Sequence, residues 1–120
     1  MPISYTIDID RQFVLTLVSG TVTGEEVYEY YQLVRNDPSF DPGFRQLVDM
    51  TGMTKSLVGT GGIMSISRDH HFTPGVRRAI VASSEAAFGL ARMFALHSES
   101  VGQTIEVFRD LNAAEAWLFR

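Results

Sequence analysis

The sequence predicts an α/β fold: a mixed, mostly parallel five-stranded sheet with four helices, in the order β-β-α-β-α-β-α-β-α. Two observations lead to it. The first two apolar segments follow each other too closely for a helix to lie between them, whereas a segment with helical periodicity precedes each later one. Strands joined across a helix run parallel because crossover connections are right-handed. A chain of 120 residues is expected to fold as one domain, over residues 1–120.

The first two strands are predicted by their hydrophobic patterns. Apolar and polar residues alternate from Ile3 to Ile9, which is typical of an edge strand with one buried and one wet face. Residues 13–18 are apolar on both faces, as expected for a strand that is covered above and below. We expect the two to form an antiparallel hairpin, with the second strand ending at Gly20.

The first helix has a clear start and end. Thr23 and Glu26 have the spacing of a capping box, and apolar residues recur at 27, 30, 31 and 34 on one helical face. The helix should end at Asn36-Asp37-Pro38, because the residue before a proline is biased away from helical conformation. Residues 44–50 then predict a third, shorter strand.

The remaining elements follow from glycine, proline and capping residues. Residues 56–62 are glycine-rich and lead into a predicted second helix over 63–67, which closes near His71. Residues 78–83 form a continuous apolar strand, expected at the centre of the sheet. Ser84 should cap a third helix, residues 104–108 should form the fifth strand, and Asp110 should cap the last helix.

Composition excludes several functional classes. There is no cysteine, so a disulfide, a thiolate metal site and a cysteine nucleophile are all impossible. The net charge of −4 is spread along the chain without a basic segment, which argues against nucleic acid as a partner. No apolar segment approaches the roughly 18 residues of a membrane span, and no N-terminal signal pattern is present, so we expect a cytoplasmic protein without membrane insertion.

Five short segments carry a resemblance. They are Leu-Val-Asp at 47–49, Arg-Ala-Ile-Val-Ala at 78–82, Phe-Gly-Leu-Ala-Arg-Met at 88–93, Val-Phe-Arg-Asp at 107–110 and Ala-Trp-Leu at 116–118. With the order of elements, they resemble small uncharacterised bacterial proteins of the STAS-like group, which share the fold of anti-sigma-factor antagonists. The resemblance covers nearly the whole chain, and it implies a non-enzymatic regulatory or protein-interaction domain.

The resemblance also indicates where a regulatory site would lie. In the antagonists, a serine in an Asp-Ser-Ser-Gly motif after the third strand is phosphorylated by a partner kinase. The equivalent segment here is residues 56–62, which lacks that aspartate and the paired serines. It offers Ser56 and Thr60 as phosphoacceptors. A similar fold in the CRAL-TRIO lipid-transfer family implies the alternative of a binding protein for a small apolar or lipid-like ligand.

Each candidate site residue also has a structural interpretation. Thr60 and Gly61 could present free N–H groups to an anion at a helix start, or belong to a plain glycine turn. Ser83 and Ser84 follow a central strand, where ligands bind in open α/β sheets, but Ser84 is equally explained as an N-cap. Asp49, with Thr51 beside it, could contribute to a recognition surface or cap a turn.

The sequence offers little to an enzyme. His70 and His71 are adjacent, so on a helix they point about 100° apart and cannot easily share a metal; we expect solvated or capping roles. A small enzyme using Ser83, His70 or His97 ranks last, because no Gly-x-Ser-x-Gly elbow is present. We therefore predict no catalytic residues, no metal and no cofactor.

Two kinds of partner remain open from the sequence. Tyr28, Tyr30 and Tyr31 exceed what one buried stripe requires, and with Phe40, Phe44 and Phe72 they could form a surface for a partner or an apolar ligand. Scattered aromatics need no such explanation. The predicted edge strand could also pair two copies into a homodimer.

Overall fold

The computed structural model describes residues 2–69 and 71–120. It contains five strands and four helices in the predicted order. The elements are β1 Ile3–Asp8, β2 Phe13–Val22, α1 Gly24–Arg35, β3 Arg45–Ser56, α2 Thr60–Arg68, β4 Arg77–Val81, α3 Glu85–Glu99, β5 Thr104–Phe108 and α4 Leu111–Phe119. Among these described residues, no helix combines the length and the apolar character needed to cross a membrane.

The sheet has the predicted mixed topology. Its strands lie in the order β1-β2-β3-β4-β5, with β1 antiparallel to β2 and every later pair parallel. The edge position of β1 is confirmed. β4 is flanked by strands on both sides, but the central position belongs to β3, so the prediction that β4 lies at the centre was wrong by one strand.

The second and third strands are longer than the sequence predicts. β2 continues past Gly20 to Val22, because two register shifts against β3 place Gly20 at an irregularity with a φ of +67°. Glycine adopts this left-handed conformation without a steric penalty, so the strand resumes instead of ending. β3 correspondingly extends to Ser56, well beyond the predicted end at Met50. Asp49 therefore lies inside a strand and not at its end.

The predicted helix caps are confirmed. Thr23 and Glu26 form the reciprocal capping box of α1. The Ser84 hydroxyl accepts a hydrogen bond from the Ala87 N–H at the start of α3, and the Asp110 carboxylate accepts one from Asn112 at the start of α4. These contacts satisfy backbone donors that have no partner within the helix.

The two faces of the sheet are covered unequally. Helices α1, α2 and α3 cover one face, which we call the three-helix face, and α4 alone covers part of the other, the α4 face. On the three-helix face, Tyr30, Tyr31 and Val34 of α1 pack against Val18 and Val22 of β2. The α4 face buries a separate apolar cluster of Phe13, Leu47, Ala79, Val81, Ala114 and Leu118.

Candidate functional site

The three-helix face encloses an apolar cavity. Its volume is about 120 Å³, and it is partly open to solvent. The lining comes from strands β1 to β4 and helices α1 to α3, and most of it is aliphatic, methionine or aromatic side chain. Residues that line it include Val22, Met50, Met53, Ile63, Ala91 and Phe94. The cavity extends to the connection between β3 and α2, where Ser56 and Val58 form part of the wall.

Glycine in this connection has a packing role. A Cβ atom on Gly62 would lie 2.9 Å from Cγ1 of Val58, closer than side chains approach in folded proteins. A Cβ atom on Gly61 would meet open space. Gly62 therefore lets the first turn of α2 approach Val58 at the cavity wall, which explains part of the glycine-rich segment without a bound anion.

A buried hydrogen-bond network adjoins the cavity, and four of its members, Thr16, Tyr30, Gln46 and Arg78, are also lining residues. The Tyr30 hydroxyl and the Thr16 hydroxyl share a hydrogen bond, and Gln46 Nε2 donates to the Tyr30 oxygen at 2.7 Å. Arg78 Nε donates to Gln46 Oε1 at 3.0 Å, and its Nη1 donates to Gln103 Oε1 at 2.8 Å. We call these five residues the polar layer. All five side chains are buried. Buried polar groups in folded proteins are normally hydrogen-bonded, and these residues satisfy one another.

Arg78 is the charged member of the polar layer. It is only 5% exposed, and its guanidinium lies 4.3 Å from the centre of the Phe72 ring. Burial lowers the pKa of Arg78, while the nearby Tyr31 and Tyr30 raise it. The group nevertheless stays protonated, because arginine does not lose its proton in proteins. A full positive charge is thus held beside an apolar cavity.

Burial favours the protonated form of Tyr30 and Tyr31, whereas it disfavours the protonated form of Arg78. Burial raises the pKa of Tyr31 to about 12 and also raises that of Tyr30. The hydrogen bonds from Thr16 and Gln46 act against this rise at Tyr30. Both phenols are therefore neutral hydrogen-bonding groups at physiological pH.

The residues proposed from the sequence do not form one site. Asp49 Oδ1 accepts hydrogen bonds from the Thr51 backbone N–H at 2.9 Å and from the Thr51 hydroxyl at 2.7 Å. Asp49 pairs with Val81, whose side chain belongs to the α4-face cluster, so the two residues lie on the α4 face. Ser56 instead lines the cavity on the three-helix face. The predicted recognition surface is thus divided between the two faces of β3.

The other candidates have these positions. Thr60 and Gly61 are exposed in the first turn of α2, whose N-cap Gly59 makes no side-chain cap. The Ser56 hydroxyl accepts from the Val58 N–H at 3.2 Å, a local turn contact. Ser83 is exposed between β4 and α3. Ser84 is the N-cap of α3, which is the structural role that the sequence predicts for it.

The histidines have different environments. The expectation for His70 lies outside the described residues. His71 was expected to be solvated or capping, but its ring packs among aromatic rings, 5.0 Å from Tyr31, 5.5 Å from Phe40 and 4.9 Å from Phe72 between centroids. That expectation was wrong. Within residues 2–69 and 71–120, no cluster of three or more His, Asp or Glu side chains could hold a metal ion.

The aromatic surplus is mostly internal. Tyr28 is exposed, as predicted for the tyrosine on the other side of α1. Phe72 is buried, and its ring contacts Phe40 at 5.3 Å between centroids. The aromatics that the sequence suggested for a partner surface are thus largely used in packing.

Sequence reasoning missed the polar layer. Arg78 and Gln46 lie within segments for which the sequence predicts strands and no polar contact. The two-residue repeat of an extended chain could have identified Arg78. It places Arg78 on the same side as Ile80 and Ala82, which are both buried. Its partners lie 32 and 25 residues away in the sequence, so only the strand register identifies them.

The fold resembles that of a solved protein. An uncharacterised protein of the DUF3478 family from Shewanella loihica PV-4, described as having a SpoIIAA-like fold, superposes with a TM-score of 0.63. The match covers 97% of this chain and 91% of that one. This chain has a SpoIIAA-like fold. The predicted STAS-like resemblance is thereby confirmed, although the two sequences are only 18% identical.

The SpoIIAA-like fold is what these comparisons show. No family model matches the sequence, and no curated protein matches it. At 18% identity the likeness concerns the backbone arrangement and not the residues of a site. What the SpoIIAA-like chain binds must therefore be argued from its own cavity and polar layer.

Proposed function

We propose that this SpoIIAA-like chain is a non-catalytic binding module whose cavity holds a small apolar molecule. The observation that carries the proposal is the cavity of about 120 Å³ on the three-helix face. Protein interiors are close-packed, and natural cores keep few voids larger than a water molecule. The lining of this cavity is almost entirely apolar, so an apolar molecule that leaves water for the cavity gains the free energy of burying apolar surface.

The size of the cavity limits the ligand. Pockets for drug-sized ligands span roughly 300–1,000 Å³, whereas a cavity of about 150 Å³ holds one benzene molecule. A cavity of about 120 Å³ therefore suits a single ring or a short alkyl chain. The lipid-like ligand suggested by the CRAL-TRIO resemblance would extend beyond the cavity through its open side.

The cavity walls can adapt to ligands of different shape. Met50 and Met53 both line the cavity, and unbranched methionine side chains adapt to ligands of different shape. Met53 is half-buried, so it lies between the interior and the solvent.

The methionine methyl groups provide the test. We expect toluene to shift the ¹³C-methyl resonances of Met50 and Met53, which line the cavity, and not those of Met64 and Met93, which do not. Bound toluene should also raise the unfolding temperature as its concentration rises, since it binds the native state alone. The variant Ala91→Leu, which places an isopropyl group in the cavity, should abolish both effects. Unchanged Met50 and Met53 resonances in the wild type would refute the proposal.

A regulatory interaction domain is the second candidate. Thr60 is exposed at the first residue of α2, in the segment where the STAS-like resemblance places a phosphoacceptor. Ser56 is half-buried and its hydroxyl accepts a local hydrogen bond, so Thr60 is the better acceptor. The partner would be a protein or a second copy of this chain. Native mass spectrometry of the protein from its own cells should find phosphate on Thr60; an unmodified chain under all growth conditions would reject this candidate.

A further inference from the structure

The partners of Arg78 are all uncharged. Its guanidinium donates to the amide oxygens of Gln46 and Gln103 and lies over the ring of Phe72. The ion pairs found in the described part of the chain join surface side chains, Arg35 with Asp69 and Arg109 with Glu85. Among residues 2–69 and 71–120, Arg78 thus has hydrogen-bond partners but no counter-charge.

A buried cation without a counter-charge favours an anion. Removing a charge from water costs several kcal/mol, and neutral amide oxygens repay less of that cost than a carboxylate does. The planar guanidinium matches a carboxylate, which it binds through two parallel hydrogen bonds. Because Arg78 also lines the cavity, an anion in the cavity would lie within a water-poor environment where this attraction is strong.

We propose that the ligand of the cavity is a small monocarboxylate, whose carboxylate pairs with Arg78 while its apolar body lies among the methionine and aliphatic side chains. The Tyr30 hydroxyl and the Gln46 amide also line the cavity, but they are already hydrogen-bonded within the polar layer. The bonds from Arg78 to Gln46 and Gln103 use two of its five N–H groups, so the carboxylate depends on the remaining N–H groups of Arg78. This inference rests on the proposed function, because it assigns the chemistry of the ligand in the same cavity. Benzoate has a suitable size, with one ring and one carboxylate.

A comparison of three ligands on the wild-type protein tests the proposal. Toluene, benzamide and benzoate share one ring, and benzamide copies the planar shape of benzoate without its charge. We expect benzoate to bind at least about tenfold more tightly than benzamide, as measured by titration of the Met50 and Met53 methyl resonances. The comparison needs no substitution, so it does not depend on how any variant folds.

Two neighbouring arginines provide matched variants. Arg78→Gln removes the buried charge, and Arg77→Gln removes a charge on the same strand whose Nη1 donates to the Trp117 carbonyl on the α4 face. Both variants change the net charge by the same amount. We expect Arg78→Gln to reduce benzoate affinity to that of benzamide. Arg77→Gln should retain the preference for benzoate.

The outcomes separate this proposal from the one on which it rests. Equal affinities of benzoate and benzamide in the wild type, with toluene binding, would overturn the carboxylate and leave the apolar ligand standing. Failure of all three ligands would overturn both. A preference for benzoate that survives Arg78→Gln would show that the charge is recognised elsewhere, and would also overturn the proposal.

Discussion

The two faces of the sheet differ in how completely side chains fill the space beneath the helices. One helix covers the α4 face, and the buried cluster there consists of four side chains from the sheet and two from α4, none of which lines the cavity. The three-helix face has more helices and yet encloses the cavity and the polar layer. The face with more helices is thus the one that contains the cavity. The difference leads us to expect that added side-chain volume destabilises the α4 face more than the three-helix face.

The largest expected effect tests the stabilising role of the α4 face. Leu118 is completely buried, and Leu118→Ala should lower the free energy of unfolding by about 2–5 kcal/mol in urea denaturation. Leu111→Ala, in the same helix at a 40% exposed position, should change it by less than about 0.5 kcal/mol. Similar losses from both variants would contradict the account of a filled α4-face cluster.

The next prediction compares the two faces directly. Ala91 and Ala114 are both buried helical alanines, but Ala91 lines the cavity and Ala114 lies in the α4-face cluster. Ala114→Leu should cost about 1–3 kcal/mol, because a filled core is overpacked by added carbon atoms. Ala91→Leu should be neutral or stabilising, since its side chain enters the cavity. Equal destabilisation, measured by chemical denaturation, would show that the cavity is not available space.

A smaller effect concerns pH. The pKa of Tyr31 is about 12 in the folded protein against 10.0 for an unperturbed tyrosine, so the unfolded chain loses its proton first. Stability from this group is complete below pH 10.0 and is lost as the pH rises towards 12. At pH ~11 the loss is on the order of 1 kcal/mol. Tyr31→Phe should reduce the alkaline loss in denaturation measured across this range.

The exposed Tyr28 provides the control for that measurement. Its side chain is 56% exposed and lies on the same helix, so Tyr28→Phe makes the same substitution without removing a buried phenol. If Tyr31→Phe behaved like Tyr28→Phe, burial of Tyr31 would not be what stabilises its protonated form.

The smallest effect distinguishes two adjacent glycines. Gly61→Ala should stabilise the protein by about 0.5–1 kcal/mol, because alanine favours the helix and its Cβ meets open space. Gly62→Ala should lose that gain, because its Cβ displaces Val58 at the cavity wall. Thermal unfolding of the two variants provides the comparison. If the substitutions raised stability equally, the close contact with Val58 would have no cost.

Much of the fold could be predicted because its signals are local. The alternation from Ile3, the capping box at Thr23 and the N-cap at Ser84 each lie within a few consecutive residues, and all three have the predicted structure. The lengths of β2 and β3 could not be predicted. The sequence indicates a strand end at Gly20, but pairing with β3 continues as far as Val22 with Ser56, and this long-range pairing carries β2 through the irregularity.

The sequence by itself determined the order of the elements, the direction of the strands and thus the SpoIIAA-like fold. Hydrophobic period, caps and right-handed crossovers depend on neighbouring residues and on chirality, which a single sequence displays. Only the tertiary structure decided where the site lies. Strand register and helix packing bring residues that are distant in the sequence together in the polar layer, which consists of Thr16, Tyr30, Gln46, Arg78 and Gln103. A cavity, likewise, is a property of how side chains fill space, which no local pattern encodes.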